Sequence, residues 1–198
     1  MKKTLAALLL ALTLLTVSAA AFSDVDEGLY YAVPISWAVE RGITTGTSED
    51  TFSPDALCTR RQILTFLWRA AGSPAPEGGE SPFDDVAADM NADFYRAILW
   101  ACEAGVISQE APDAGSFFPN EPCTRAAAME FLWRYAGSPA AGTPAAFTDV
   151  APSAGYAQAV SWAVEAGITS GTTDSTFSPN EPCTRGQIVT FLYRCVNE

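Results

Sequence analysis

Three arginines that each follow a threonine are the residues best suited to chemistry in this sequence. They lie in Thr59-Arg60, Thr124-Arg125 and Thr184-Arg185, and apolar residues at helical spacing follow each pair. Because threonine commonly precedes a helix, each arginine is predicted to lie in a first helical turn. A guanidinium and the free amides of that turn could together bind a carboxylate or a phosphate. The pattern therefore predicts three anion-binding positions.

An internal ion pair explains the same arginines without any ligand. Three related tetrapeptides carry an aspartate at the third position: Phe22-Ser23-Asp24-Val25, Phe83-Asp84-Asp85-Val86 and Phe147-Thr148-Asp149-Val150. Each aspartate could pair with one arginine, and an arginine could hold an acid and a ligand together. We also expect these aspartates to form turns or caps ahead of a helix, with a ligand hydroxyl as a second partner. The residues alone do not decide between an anion-binding site and an internal ion pair.

Two glycines and several tryptophans are further candidates for contact with a ligand. Gly46 and Gly171 are predicted to permit a backbone turn, and they could also let a ligand approach the main chain. The matching residue of the middle copy is Gln109, so that loop is expected to differ. Trp68 and Trp133 are expected to be partly exposed, where a sugar could stack on them. We expect three other tryptophans to lie mainly in the core: Trp37, Trp100 and Trp162.

The sequence excludes or does not indicate several kinds of metal or catalytic site. The chain has no histidine, which excludes histidine-ligated metal sites and histidine-dependent triads. The acidic loop residues lack the dense oxygen ligands of a calcium site. No pair of acids stands out for glycoside cleavage. We therefore expect a protein that is not an enzyme and that uses no metal or cofactor.

These candidates recur because the chain contains three copies of one unit. Trp37-Ala38-Val39-Glu40 recurs as Trp162-Ala163-Val164-Glu165, and the middle copy retains Trp100-Ala101. Each copy is predicted to be a helix, a loop and a second helix. The copies span 22–74, 83–139 and 147–198, and Pro-, Gly- and Ala-rich stretches join them. Because a unit of roughly 60 residues is marginal alone, we expect one compact α-helical domain over 22–198.

The cysteines follow the same repeats. Cys58, Cys123 and Cys183 share one position ahead of the second helix, while Cys102 and Cys195 replace small or apolar residues of other copies. Cysteine that exchanges with apolar residues indicates packing. Disulfides are the alternative, because a secreted chain meets an oxidising environment.

The amino terminus resembles a secretory signal peptide. Lys2 and Lys3 precede an apolar run over 5–12, and alanines follow at 19–21, so we expect residues 1–21 to be removed. No second apolar run is long enough to span a membrane. Removal of the two lysines lowers the formal net charge from −12 to −14. A surface this acidic disfavours nucleic acid and anionic lipid as partners.

The ordered set of motifs resembles the S-layer homology (SLH) domain family. The matching elements are the Phe-x-Asp-Val openings, the Trp-Ala helices, the Gly-Ile-Thr-x-Gly-Thr loops, the Phe-x-Pro turns and the Thr-Arg helix starts. The resemblance implies a mainly α fold, with three helix-loop-helix repeats in a pseudo-threefold arrangement around a central three-helix bundle. It also implies noncovalent attachment to the bacterial envelope, at the cell wall or S-layer surface. The implied ligand is cell-wall polysaccharide, often bearing pyruvate ketals.

The resemblance also assigns ligand-binding positions in the grooves between repeats. These are Arg60, Arg125, Arg185, Asp24, Asp85, Asp149, Gly46 and Gly171. The middle copy departs from the pattern at Gln109 and Ala127, so we expect fewer than three equivalent sites. The alternative function is that of a structural or adaptor protein, which contacts other envelope or S-layer proteins and has weak or lost glycan binding.

Overall fold

The described part of the protein is built from six α-helices. The computed structural model describes residues 22–88, 90–107 and 115–197. The predicted signal peptide and Gln109 lie outside the described residues. The helices are α1 (Ala32–Glu40), α2 (Arg60–Ala70), α3 (Ala92–Glu103), α4 (Arg125–Tyr135), α5 (Ala157–Glu165) and α6 (Arg185–Asn197). The predicted mainly α fold, with two helices in each of three repeats, is confirmed.

The second helix of each repeat lies at the centre of the molecule. Helices α2, α4 and α6 contact one another in all three combinations, which forms the predicted central three-helix bundle. Their apolar stripes are buried, as the helical spacing of the sequence predicts. We call these the inner helices, and α1, α3 and α5 the outer helices.

Each outer helix packs against the inner helix of the preceding repeat. Helix α3 packs on α2, α5 packs on α4, and α1 closes the ring by packing on α6. The two helices of a repeat, such as α1 and α2, do not contact each other within the described structure. Every repeat therefore completes the core of its neighbour, and one buried apolar cluster runs through all three.

A ring of backbone hydrogen bonds joins the repeats ahead of the inner helices. The amide of Cys58 donates to the carbonyl of Cys183 at 2.9 Å, Cys123 donates to Cys58 at 2.8 Å, and Cys183 donates to Cys123 at 2.8 Å. The three side chains are fully buried, and all five cysteines of the chain are free thiols. Burial raises the pKa of Cys58 and of Cys183 to about 12. The packing role predicted for these cysteines is confirmed.

Nothing in the described part of the chain suggests a membrane-crossing helix. None of its helices has both the length and the apolar composition that crossing a bilayer requires.

Candidate ligand-binding grooves

The first amides of each inner helix already have acceptors in the next repeat around the ring. The amide of Arg185 donates to the carbonyl of Ala56 at 2.9 Å, and that of Gly186 donates to Pro54 at 2.9 Å. The corresponding bonds of α2 and α4 are Arg60 to Glu121, Arg61 to Pro119, Arg125 to Glu181 and Ala126 to Pro179. The prediction that free helix amides join the arginines in an anion site is wrong, because loop carbonyls occupy those amides.

In repeats 2 and 3 the threonine before the inner helix caps an amide of the first turn, as the sequence predicts. In repeat 1 the Thr59 amide donates to Gln62 Oε1 at 2.9 Å, but Thr59 Oγ1 has no hydrogen-bond partner in the described structure. In repeat 3 the Gln187 amide donates to Thr184 Oγ1 at 3.3 Å, and the Thr184 amide donates to Gln187 Oε1 at 3.0 Å. This reciprocal pair is a complete capping box. In repeat 2 the Ala127 amide donates to Thr124 Oγ1 at 3.3 Å, but alanine has no group to return the bond.

At each junction, the arginine of one repeat and the opening aspartate of the next form hydrogen bonds with the same phenylalanine. The arginine binds its carbonyl and the aspartate binds its amide. Arg185 Nε donates to the Phe52 carbonyl at 3.0 Å. The Phe52 amide donates to Asp24 Oδ1 at 2.8 Å, and the Ser53 amide donates to Asp24 Oδ2 at 2.7 Å. The guanidinium also lies 4.7 Å from the centre of the Phe52 ring. The arginine and aspartate are thus linked through a peptide unit of the loop.

The other two junctions repeat this arrangement, which we call the Arg-Phe-Asp clamp. Arg60 Nε donates to Phe117 and Arg125 Nε donates to Phe177, both at 2.8 Å. The amides of Phe117 and Phe177 donate to Asp85 and Asp149 at 2.7 and 2.8 Å.

Two predictions therefore need correction. Among the described residues neither Arg125 nor Arg185 forms an ion pair with an opening aspartate. The opening aspartates lie in turns, as predicted, which are closed by the amides of Val25, Val86 and Val150. Their carboxylates bind amides of a distant loop, so the helix caps also expected for them are not their observed role. The sequence reasoning missed this because the clamp joins residues that are far apart in the chain, such as Arg185 and Phe52.

The electrostatics of the clamp follow from burial and hydrogen bonding. The hydrogen bond from the Phe177 amide, joined by one from Ser178, lowers the pKa of Asp149 below its usual value. Burial lowers the pKa of Arg125 and of Arg185. Both guanidinium groups still remain charged, because arginine is too strong a base to lose its proton in a protein.

The two most buried arginines differ in one bond. Arg125 and Arg185 are 5% and 4% exposed. Arg125 Nη2 donates to Thr169 Oγ1 at 3.4 Å, whereas Arg185 Nη2 has no hydrogen-bond partner in the described structure. A buried donor without an acceptor costs about 1–3 kcal/mol. An acceptor added beside Arg185 Nη2 would therefore be stabilising.

Arg185 lines an open cavity of about 340 Å³, which we call groove 1. The walls of groove 1 come from three repeats. They comprise the loop Thr44–Gly46 and helix α2 of repeat 1, the start of α3 in repeat 2, and Arg185 of repeat 3. Two predicted site residues, Gly46 and Arg185, thus come together here, while Asp24 holds the loop to which Arg185 binds.

Two arginines of groove 1 were not predicted from sequence. Arg61 and Arg69 both line the cavity. Arg69 Nη1 donates to the Ile43 carbonyl at 3.2 Å, and its Nη2 lies 2.8 Å from Asp93 Oδ2. Arg69 recurs in the other copies as Arg134 and Arg194, so the repeat could have indicated it. Arg61 has no counterpart in the pattern and gives no such signal.

Gly46 and Gly171 meet a steric requirement. They have φ angles of +87° and +92°, a conformation that side chains other than glycine rarely adopt. A Cβ on Gly46 would lie 2.5 Å from the Thr51 carbonyl oxygen, and one on Gly171 would lie 2.7 Å from that of Thr176. The predicted backbone turn is confirmed in both loops.

The equivalent region of repeat 3 is more tightly filled than groove 1. Gly186 occupies the position of Arg61, and a Cβ there would already lie 3.1 Å from Tyr31 Cδ1. Thr190, the counterpart of partly buried Thr65, is 2% exposed.

The tryptophans of the inner helices hold the linkers between repeats. Trp68 Nε1 donates to the Pro74 carbonyl at 2.9 Å, and Trp133 Nε1 donates to Pro139 at 2.8 Å. Trp68 is buried and Trp133 is partly buried. The expectation that Trp68 is partly exposed is therefore wrong, because its indole is covered by the linker that it binds.

Comparison with known proteins agrees with this architecture. The family model of the S-layer homology domain matches residues 21–64 and 146–189, which fall in repeats 1 and 3. The middle repeat supplies an equivalent helix pair, α3 and α4, to the ring. The chain belongs to the S-layer homology domain family. Membership in this family implies a location at the cell surface or envelope.

Two relatives cover most of the chain. It is 32% identical over 174 residues to an endoglucanase of Bacillus sp. (strain KSM-635), a match that covers 84% of this chain and 18% of that protein. It is 27% identical over 175 residues to an S-layer protein of Bacillus thuringiensis subsp. finitimus, which covers 86% of this chain and 21% of that protein. The chain spans about a fifth of the length of these relatives.

Proposed function

We propose that this protein attaches noncovalently to the bacterial cell envelope by binding an anionic cell-wall polysaccharide in groove 1. The observation that carries the proposal is Arg185, a buried guanidinium that lines an open cavity and has one donor without an acceptor in the described structure. A carboxylate on the ligand would bring acceptor oxygens and a complementary charge to this part of the cavity.

The net charge of the protein supports a local mode of recognition. The whole sequence carries a formal charge of −12, so its general field repels an anionic polymer. Capture of such a polymer therefore depends on a few placed cations. A pyruvate ketal fits this requirement, because its ring fixes one carboxylate rigidly on the sugar and little entropy is lost on binding.

We propose a binding role without catalysis for this chain. Binding requires only the loop, the arginines and the neutral polar groups around groove 1. The likeness to an endoglucanase covers 18% of that protein, so the activity of that protein is not carried over to this chain.

We further propose that the protein is secreted and that residues 1–21 act as its signal peptide. The basic start, the short apolar run and the alanines before Phe22 support this assignment. The mature protein would then act at the cell wall or S-layer surface.

Co-sedimentation with purified wall sacculi tests the proposed attachment. The mature protein should sediment with sacculi, and removal of pyruvylated polymer from the sacculi should release it. Arg185→Ala should abolish most of this binding. Arg125→Ala is the matched control, because Arg125 forms the same clamp but donates its Nη2 to Thr169.

The comparison separates recognition from folding. Both variants lose one clamp, so circular dichroism should show that both are destabilised but folded, with Arg125→Ala the less stable by about 1 kcal/mol. If Arg185→Ala and Arg125→Ala bind sacculi equally well, Arg185 has no role in recognition. If wild-type binding is no stronger than that of an unrelated acidic protein, the adaptor alternative is favoured.

A further inference from the structure

We propose that Arg61 gives groove 1 a second anion-binding position, so that the groove prefers a polysaccharide with anionic groups on two neighbouring sugars. This inference rests on the proposed function, because it names the charge pattern of the ligand that groove 1 would bind.

The charge of groove 1 differs from that of the molecule around it. Arg61, Arg69 and Arg185 all line the cavity, and no aspartate or glutamate is among its described lining residues. The chain as a whole has 23 acidic and 11 basic side chains. Three guanidinium groups around one cavity, with no acid in its wall, create a local positive field in an acidic protein.

The three arginines are not equally available. Asp93 neutralises Arg69 through a 2.8 Å ion pair, and that arginine also holds the Ile43 carbonyl. Arg61 is exposed, and no side-chain hydrogen bond or ion pair of Arg61 is present among the described residues. Arg61 and Arg185 are therefore the two cations that a ligand in groove 1 can use.

Folding does not explain an arginine at position 61. The equivalent residues of the other inner helices are Ala126 and Gly186, so the same helix start forms without a cation. A positive charge in the first turn is unfavourable, because the helix dipole is already positive there. Repeat 1 thus has a mildly unfavourable residue whose side chain faces a cavity and has no structural partner in the described residues.

The different surroundings of Arg61 and Arg185 favour two separate anions over one. Arg185 is 4% exposed, and the clamp on Phe52 fixes its guanidinium. Arg61 lies in the first turn of α2, where its backbone amide donates to the Pro119 carbonyl, and its side chain extends from an exposed position. A carboxylate at the fixed guanidinium therefore leaves the exposed one free for the next anionic group along the polymer.

Three synthetic disaccharides on one scaffold test this charge pattern. They carry no pyruvate ketal, one ketal or two ketals, and calorimetry measures their affinities for the mature protein. Wild type should bind the doubly ketalated probe about fivefold more tightly than the singly ketalated one, the upper range for an exposed ion pair. Arg61→Ala should remove this preference and keep the affinity for the singly ketalated probe.

Arg96→Gln is the control for net charge. Arg96 is an exposed residue of α3 outside the cavity, and repeat 3 has Gln158 at the same position. This variant should retain the fivefold preference. The preference should also decrease with added salt, because exposed charges are screened.

The outcomes separate this inference from the proposed function. Equal affinity of wild type for the two ketalated probes overturns the second position while leaving glycan binding intact. An equal loss of both affinities in Arg61→Ala shows that one carboxylate is shared by Arg61 and Arg185, which also overturns it. Binding of neither ketalated probe overturns the ketal-binding form of the proposed function, and this inference with it.

Discussion

Groove 1 and the equivalent region of repeat 3 have nearly the same sequence motifs but different surfaces. Both contain a glycine loop, a Thr-Arg helix start and an Arg-Phe-Asp clamp. Groove 1 is open, and Arg61 lines it together with an incompletely bonded Arg185. In repeat 3 the smaller Gly186 lies against Tyr31, and Arg125 reaches Thr169.

The difference indicates that the repeating motif builds the scaffold, while residues beside it set the shape and charge of each groove. The clamp recurs at each junction of the ring. Beside it, loop carbonyls of the next repeat accept the first amides of each inner helix. Neither contact uses the side chain at position 61. It carries arginine, alanine or glycine in the three copies, so it is free to make the grooves unequal.

The glycine loops should respond equally to substitution, and with the largest effect. Gly46→Ala and Gly171→Ala should each lower the free energy of unfolding by about 2–4 kcal/mol, because both place a Cβ within 3 Å of a backbone oxygen at positive φ. Urea denaturation measures the change. Gly72→Ala is the control, since Gly72 has a φ of +86° but open space around it, and it should cost about 1 kcal/mol.

Equal effects in the two loops would confirm that the scaffold is the same in repeats 1 and 3. If Gly171→Ala were tolerated while Gly46→Ala was not, the loop of repeat 3 would be free to move, and the comparison of fixed surfaces would be wrong.

Exchange of the residues at positions 61 and 186 should have unequal effects. Gly186→Arg should lower the free energy of unfolding by about 1–3 kcal/mol, because the added side chain meets Tyr31 and the Pro54 carbonyl. Arg61→Gly should cost about 1 kcal/mol through helix propensity alone. Thermal unfolding of the two variants checks the order. A smaller loss for Gly186→Arg would mean that Tyr31 moves aside and that repeat 3 can also open.

Arg125→Ala and Arg185→Ala should also differ in their free energy of unfolding, by less than the effects predicted above. Arg125→Ala breaks bonds to Phe177 and Thr169, while Arg185→Ala breaks the bond to Phe52 and removes a donor without an acceptor. Arg125→Ala should therefore be the more destabilising by about 1 kcal/mol in urea denaturation. The reverse order would show that Arg185 Nη2 is satisfied in solution.

The sequence predicts the common scaffold much better than the differences within it. Apolar spacing and the threefold recurrence predict the helices and the central bundle, because each inner helix has its own buried stripe. The helix pairing and the clamp depend on which loop reaches which helix start, as when Phe52 meets Arg185. No local pattern encodes such a contact. The difference between the two regions depends further on single side chains. Arg61 lines the open groove 1, whereas Gly186, at the equivalent position of repeat 3, lies against Tyr31.

The smallest expected effect is the change in folding stability when Asp149 is protonated in acid. Hydrogen bonds from Phe177 and Ser178, together with the charge of Arg125, lower the pKa of this carboxylate in the folded protein. Its stabilising contribution is therefore fully present above the unfolded pKa of about 4 and is lost as the pH falls through the lower folded value. Asp149→Asn should be less stable than wild type at pH 7 and should lose less stability between pH 5 and pH 2.

Carboxyl NMR titration links this effect to the clamp. In Arg125→Ala the pKa of Asp149 should rise towards its usual value, because one favourable charge is lost while the Phe177 and Ser178 amides remain. In Arg185→Ala it should not change, since Arg185 lies at the junction of repeats 3 and 1 and clamps Phe52. A shift of Asp149 in both variants would mean that the junctions are coupled, and the two regions would no longer be separate cases.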